Sequence, residues 1–197
     1  MNDKQWKIEQ YLPKLSGKIL FVGAGKDPDG MYHYSLYHKL VQTPESFETL
    51  DFLSEDRLST KPSKHHTCDF LDFKNEYLYD HISLHGLWGN GFVFKEDNRE
   101  TESKELTKII VRCIKKAHNI LNVGGTLQIG PNTNKINDIY DYMVNEELYK
   151  TIYRISRGER GCANCIFWGE KINNNGFNYI NNDLWGRTIK TIGLFQN

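Results

Sequence analysis

Ile19 to Val22 is an unbroken apolar run. A strand with no polar alternation belongs inside a parallel sheet, where both of its faces are covered. Phe47 to Phe52 reads as a second strand and His66 to Phe70 as a short third one, separated by the polar stretch Ser54 to Lys64. His81 to Leu84 predicts a fourth strand, and Thr126 to Ile129, entered through Gly124-Gly125, a fifth. Leu106, Ile109, Ile110, Cys113, Ile114, Ala117 and Leu121 recur at spacings of three and four, the stripe of an amphipathic helix. Glu102 and Glu105 stand at its start and Lys115, Lys116 and His118 near its end, the arrangement its dipole favours. Met31 to Val41 predicts another helix, and Ile136, Ile139, Tyr140, Met143 and Val144 outline a third.

Before these elements, Asp3 to Leu15 reads as a leading helix or arm stopped near Pro13. After them, Tyr149 to Ser156 and Ala163 to Lys171 flank the turn residues Gly158 and Gly161, which predicts an antiparallel pair. The Asn-rich stretch Asn173 to Asn182 reads as a loop, and Thr188 to Phe195 as either an edge strand or a cover over the site. Strands alternating with helices predict an α/β three-layer sandwich. Its sheet is mostly parallel and twisted, with an antiparallel C-terminal hairpin strand and helices on both faces.

Composition narrows the picture. A chain of 197 residues makes one domain with a full core, here 1–197 with a leading arm at 1–17 and a C-terminal extension at 172–197. Its 25 basic and 25 acidic residues cancel, so no net field draws it to nucleic acid or to an anionic membrane surface. No stretch approaches the roughly 20 apolar residues that span a bilayer, and residues 1–10 lack the apolar centre of a secretory signal. The expected compartment is the cytoplasm. Cysteines 68, 113, 162 and 165 are spaced too irregularly for a disulfide framework and are expected to be reduced.

The first strand ends in Gly23-Ala24-Gly25, and the second carries Asp51 near its end. Glycines at a strand's carboxyl end admit a ligand to bare main chain, and an acid at the next strand tip is placed to accept hydrogen bonds from a ribose. Together they form a nucleotide-cofactor signature. Phe52 is then placed to pack on an adenine ring, and Asp69, between Cys68 and Phe70, to accept a hydrogen bond from the adenine amino group. His85 follows the fourth strand in the irregular segment His85 to Gly91, whose Trp88 and Asn90 offer an aromatic wall and an amide to a polar substrate.

In order and spacing, these segments resemble the class I S-adenosylmethionine-dependent methyltransferases over roughly Lys18 to Lys171. Lys18 to Gly25 is similar to that family's glycine loop, Asp51 to its ribose acid, and Cys68-Asp69-Phe70 to its adenine-contacting position. Asp80 to Gly86 resembles its post-strand-four motif, and Leu121 to Ile129 its helix exit and Gly-Gly-x-Leu strand. The resemblance implies S-adenosylmethionine as cofactor and methyl transfer to a small polar acceptor such as a sugar or glycan precursor. It places His85 opposite the transferred methyl group, where a near-neutral histidine can take the nucleophile's proton. Two positions depart from the family pattern. The acid usual in or just before strand one is absent from Leu20-Phe21-Val22, which weakens the hold on the methionine end, and the third glycine of the loop is Asp27.

Each of these residues also has a structural reading. Gly23 and Gly25 serve equally as turn glycines, Asp51 as a cap for the turn at Ser54 or Glu55, and His85 as a ligand of loop backbone near Gly86. Asp72 rivals Asp69 as the adenine acid. Cys162 and Cys165 form a Cys-x-x-Cys, but a strand there would turn the two thiols to opposite faces, so no metal site is expected. No Asp-Pro-Pro-Tyr or Asn-Pro-Pro-Tyr motif follows strand four, which with the neutral charge argues against nucleic acid as acceptor. The sequence does not fix an oligomeric state, but a homodimer could build a pocket from Trp88 or the tail at 173–197. Two other functions compete: a non-catalytic binding module of the same fold, favoured by the missing strand-one acid, and a nicotinamide-dependent oxidoreductase, disfavoured by Pro28 inside the Gly-x-Gly-x-x-Gly frame.

Overall fold

The computed structural model describes residues 15–23, 47–51, 62–84, 99–132, 137–155 and 165–179. They form a seven-stranded sheet with strands β1 (Ile19–Val22), β2 (Phe47–Asp51), β3 (Lys64–Thr67), β4 (Tyr79–Leu84), β5 (Leu121–Asn132), β6 (Tyr149–Ile155) and β7 (Cys165–Lys171), and two helices, α1 (Arg99–Ile120) and α2 (Asn137–Asn145). The sheet order is β3-β2-β1-β4-β5-β7-β6. Pairings among β1 to β5 are parallel, and β7 runs antiparallel between β5 and β6. The predicted leading arm and the predicted helix at Met31 to Val41 lie outside the described residues, apart from Leu15, which is buried.

Alternation along the strands sorts the core. Leu20, Val22, Leu50, Ile82, Leu84, Leu127 and Ile129 pack on one face in a single cluster with Ile110, Cys113, Ile114 and Ala117 of α1 and Ile139, Tyr140 and Met143 of α2. Both described helices therefore cover the same face. The intervening residues Ile19, Phe21, Phe47 and Trp168 are buried on the other face, along with the polar Thr49, His81, Ser83 and Gln128. These polar groups have side-chain partners: Ser83 Oγ donates to Gln128 Oε1 at 2.6 Å, His81 Nδ1 meets Thr126 Oγ1 at 2.6 Å, and Thr49 Oγ1 meets His65 Nδ1 at 2.7 Å.

The third strand occupies Lys64–Thr67 rather than His66 to Phe70. It is the sheet edge, so polar side chains suit it, and Phe70 leaves the strand to fill the core at 2 % exposure. The fourth and fifth strands start earlier than their apolar runs, at Tyr79 and Leu121. Asp80 explains both extensions, accepting from the Lys18 amide at 2.9 Å and from Asn122 Nδ2 at 2.8 Å, so that it ties the starts of β1, β4 and β5. Where the β4 and β5 register shifts, Gly124 adopts φ 80, a left-handed conformation that glycine takes without penalty. The described part of the Asn-rich stretch, residues 173–179, is irregular, as expected, yet anchored. Phe177 is buried against His118 and Tyr142, and Tyr142 Oη accepts from the Asn178 amide.

Candidate functional site

In the order β3-β2-β1-β4-β5, the chain winds outward in one direction from β1 and in the other from β4, so the adjacent β1 and β4 form a switch point. Ligands of open α/β sheets bind outside the carboxyl ends of the strands at such a point. Gly23 stands there at the end of β1 with φ 76, a conformation costly for any residue bearing a Cβ. Its amide donates to the Leu50 carbonyl at 2.8 Å, which carries the β1–β2 pairing past the end of β1 and sets Gly23 beside Asp51. The Asp51 carbonyl in turn accepts from the Cys68 amide at 3.1 Å. The tips of the first three strands are thus tied side by side, with a half-buried carboxylate at Asp51 in the middle.

Asp69 lies just past β3 and closes a tight turn. Its Oδ1 accepts from the Leu71 amide at 2.7 Å and its carbonyl from the Asp72 amide at 3.1 Å. Among the described residues its second carboxylate oxygen has no hydrogen bond. Asp72, the rival acid, is exposed on the turn. Phe70 is a core residue where the sequence reading expected a cofactor contact, because the turn directs its ring beneath α1, 5.7 Å from Lys116 Nζ. Lys116 Nζ also donates to the carbonyls of Leu71 at 2.7 Å and Phe73 at 2.6 Å, pinning the turn to α1. Burial pushes the Lys116 pKa down and the Cys68 thiol pKa up, the latter reinforced by the Asp69 charge.

Of the residues expected to form the site, the structure brings Gly23, Asp51 and Asp69 to one end of the sheet. Gly25, Phe52, His85, Trp88 and Asn90 lie outside the described residues, as does Cys162. Among the described residues no group of three His, Cys, Asp or Glu side chains is arranged to hold a metal ion.

A polar cluster missed by the sequence reading lies under the same strands. Glu48 of β2, only 6 % exposed, accepts from His66 Nε2 at 2.8 Å, from the Tyr79 hydroxyl at 2.9 Å and from the Tyr77 hydroxyl. Burial alone would raise the Glu48 pKa, but the hydrogen bonds from Tyr77, His66 and Tyr79 outweigh it and hold the carboxyl below its ordinary range. Burial and the Glu48 carboxylate push Tyr77 up to about 12. The signal was legible in principle: a carboxylate inside the apolar run of a parallel strand must be buried, and a buried carboxylate needs donors.

No protein-family model and no curated protein matches this chain in sequence. Solved structures do match its fold. The N-methyltransferase NodS from Bradyrhizobium japonicum WM9 in complex with S-adenosyl-L-homocysteine aligns with a TM-score of 0.51 at 11 % identity, covering 80 % of this chain and 80 % of that one. An rRNA methylase from Streptococcus thermophilus aligns at 0.52 and 10 % identity over 86 % of this chain and 95 % of that one. A ribosomal protein L11 methylase from Lactobacillus delbrueckii subsp. bulgaricus aligns at 0.52 and 11 % identity over 88 % and 81 %. With its five parallel strands, its switch point between β1 and β4 and its inserted antiparallel β7, the chain has the fold of the class I S-adenosylmethionine-dependent methyltransferases.

Proposed function

We propose that this protein transfers a methyl group from S-adenosylmethionine to a small polar acceptor. One observation carries the reading: a bare main-chain position at Gly23, a carboxylate at Asp51 and a second at Asp69 lie in sequence along the tips of β1, β2 and β3. Gly23 admits the cofactor to the backbone, Asp51 accepts hydrogen bonds from the ribose hydroxyls, and the free oxygen of Asp69 accepts one from the adenine amino group. In this proposal Gly25 and Phe52 are further cofactor-binding residues, and Trp88 and Asn90 bind the acceptor. His85, the residue after β4, takes the proton released as the acceptor's hydroxyl or amine attacks. The cofactor's sulfonium already activates the methyl group, so the protein mainly aligns the nucleophile behind it and needs few catalytic side chains.

The proteins of like fold include methylases of rRNA and of a ribosomal protein as well as an N-methyltransferase, so the fold leaves the acceptor open. Zero net charge favours a small polar metabolite over a polyanion. The continuous core under α1 and α2 supports a single working domain. A cytoplasmic setting accompanies this reading, supported by the free thiols of Cys68 and Cys113. Among the described residues no helix is long and apolar enough to cross a membrane. A homodimer completing the acceptor pocket belongs to the same proposal.

A second reading, a non-catalytic module of this fold, draws on β1, whose four residues are all apolar and fully buried and supply no acid for the methionine end. Titration calorimetry with S-adenosylmethionine, S-adenosylhomocysteine and NAD separates the readings. Binding of the first two and not the third is expected, followed by methyl transfer to a metabolite panel. Binding of none would favour the module, and of NAD alone an oxidoreductase.

A further inference from the structure

We infer that Glu48 is a positioning residue that clamps the β3–β4 connection and thereby sets the adenine edge of the cofactor site; its second half rests on the methyltransferase reading above. The connection, residues 68–78, leaves the sheet edge, passes β2 and β1 to reach β4, and contains a turn but no helix. A span of this kind has no internal ladder of hydrogen bonds to fix its path, so its path must be fixed from outside. Glu48 supplies that from below. The carboxylate binds His66, two residues before the connection begins, together with Tyr77 near its end and Tyr79 just after it. Both ends are therefore fastened to one point on β2.

The contacts continue into the turn. The His66 ring meets Phe73 edge-on at 4.7 Å between centroids, Phe73 lies 6.5 Å from Tyr79, and Lys18 Nζ sits 3.2 Å over the Tyr77 ring. Asp69 stands between His66 and Phe73, and Lys116 holds the carbonyls of Leu71 and Phe73 from the α1 side. Asp69 thus rides on a loop held at both ends by Glu48 and in its middle by Lys116. An apolar cluster of similar volume would stabilise the fold as well as a buried carboxylate does, but it would hold the loop with no preferred direction. Hydrogen bonds from three elements to one carboxylate specify where the loop lies.

The test compares the wild type with Glu48→Gln, with Tyr77→Phe as a milder variant should Glu48→Gln fail to fold, and with Lys171→Met as a control destabilised elsewhere in the sheet. Hydrogen exchange of the 68–78 amides is measured without ligand. Affinities are measured for S-adenosylhomocysteine and for S-inosylhomocysteine, in which a carbonyl oxygen replaces the adenine amino group. Faster exchange concentrated in 68–78 is expected for the clamp variants, and a preference of about tenfold for the adenine ligand in the wild type and in Lys171→Met should shrink to about threefold or less. Unchanged exchange in 68–78, or exchange raised evenly through the sheet, would overturn the clamp. A wild-type preference that the clamp variants keep, or no wild-type preference at all, would overturn its link to the adenine edge. If the wild type binds neither ligand, the methyltransferase reading fails and the exchange data alone decide whether Glu48 clamps the loop.

Discussion

The Gly23 amide and the Leu50 carbonyl, 2.8 Å apart, carry the β1–β2 pairing beyond the last residue of β1. Continuing that register sets Gly23, at φ 76, beside Asp51. The tips of β1 and β2 therefore carry, side by side, a half-buried glycine and a half-buried acid, the pair of residue types that dinucleotide-type sites use.

Gly23→Ala forces a Cβ into the left-handed region. A loss of about 1 kcal/mol in stability is expected, the usual cost of that conformation for an alanine. The new methyl group also stands on the main chain offered to the cofactor, so calorimetry should show S-adenosylhomocysteine affinity falling about tenfold or more, beyond what the stability loss explains. Wild-type affinity in a folded variant would remove Gly23 from the site.

Asp51→Ala removes the acceptor assigned to the ribose. Hydrogen bonds to a charged group contribute about 1.5–3 kcal/mol, which corresponds to a loss of roughly ten- to hundredfold in affinity. The loss should be equal for S-adenosylmethionine and S-adenosylhomocysteine, because both carry the same ribose. A change confined to one of them would place Asp51 near the sulfur instead.

Acid should destabilise the protein, through His81 first. This side chain is 1 % exposed, and burial pushes its pKa from 6.5 down to about 3. The folded state keeps it neutral while the unfolded chain binds a proton near 6.5, so stability is lost as pH falls from that value toward 3, with a slope approaching 1.4 kcal/mol per pH unit, roughly the cost of one unmatched proton. His118, whose pKa burial and Lys171 both lower, adds a loss of the same sign. Glu48 contributes at lower pH: its depressed pKa gives stability that is present above 4.5 and lost as pH falls through the folded value. Urea denaturation at pH 7, 6 and 5 should show the decline, and His81→Gln should flatten it. An unchanged slope in that variant would show that His81 is not its source.

Lys171→Met tests a buried cation. Lys171 is 2 % exposed and its Nζ donates at 2.7 Å to the carbonyls of both His118 and Leu121, where α1 passes directly into β5. Methionine fills similar space but leaves the two buried carbonyls without these donors, so a loss of about 2–4 kcal/mol in chemical denaturation is expected. A neutral result would mean that the desolvation of the ammonium, which already lowers its pKa, cancels the two bonds.

Much of the architecture could be read from periodicity alone. The apolar run Ile19–Val22 and the three-and-four stripe of α1 predict their elements because burial on two faces, or on one helical face, leaves a direct trace in residue order. β3 was displaced for the opposite reason. As an edge strand it carries Lys64, His65, His66 and Thr67, and Phe70, which looked like part of it, fills the core from a turn. Asp51 and Asp69 are legible as acids at the strand tips, and so as site candidates, because a carboxylate there stands out against apolar neighbours. Glu48 was not read as a hub because its donors, His66, Tyr77 and Tyr79, lie 18 to 31 positions away.

By itself the sequence determined the alternation of strands and helices, the glycine after β1, the acid that ends β2 and the acid that follows β3, all of them consequences of local pattern. The sheet order, the insertion of β7 between β5 and β6, the convergence of Gly23, Asp51 and Asp69 and the Glu48 network were decided only in the tertiary structure. The physical reason is that strand pairing and buried hydrogen bonds join residues far apart in the chain, and their energies depend on geometry that residue order does not encode locally.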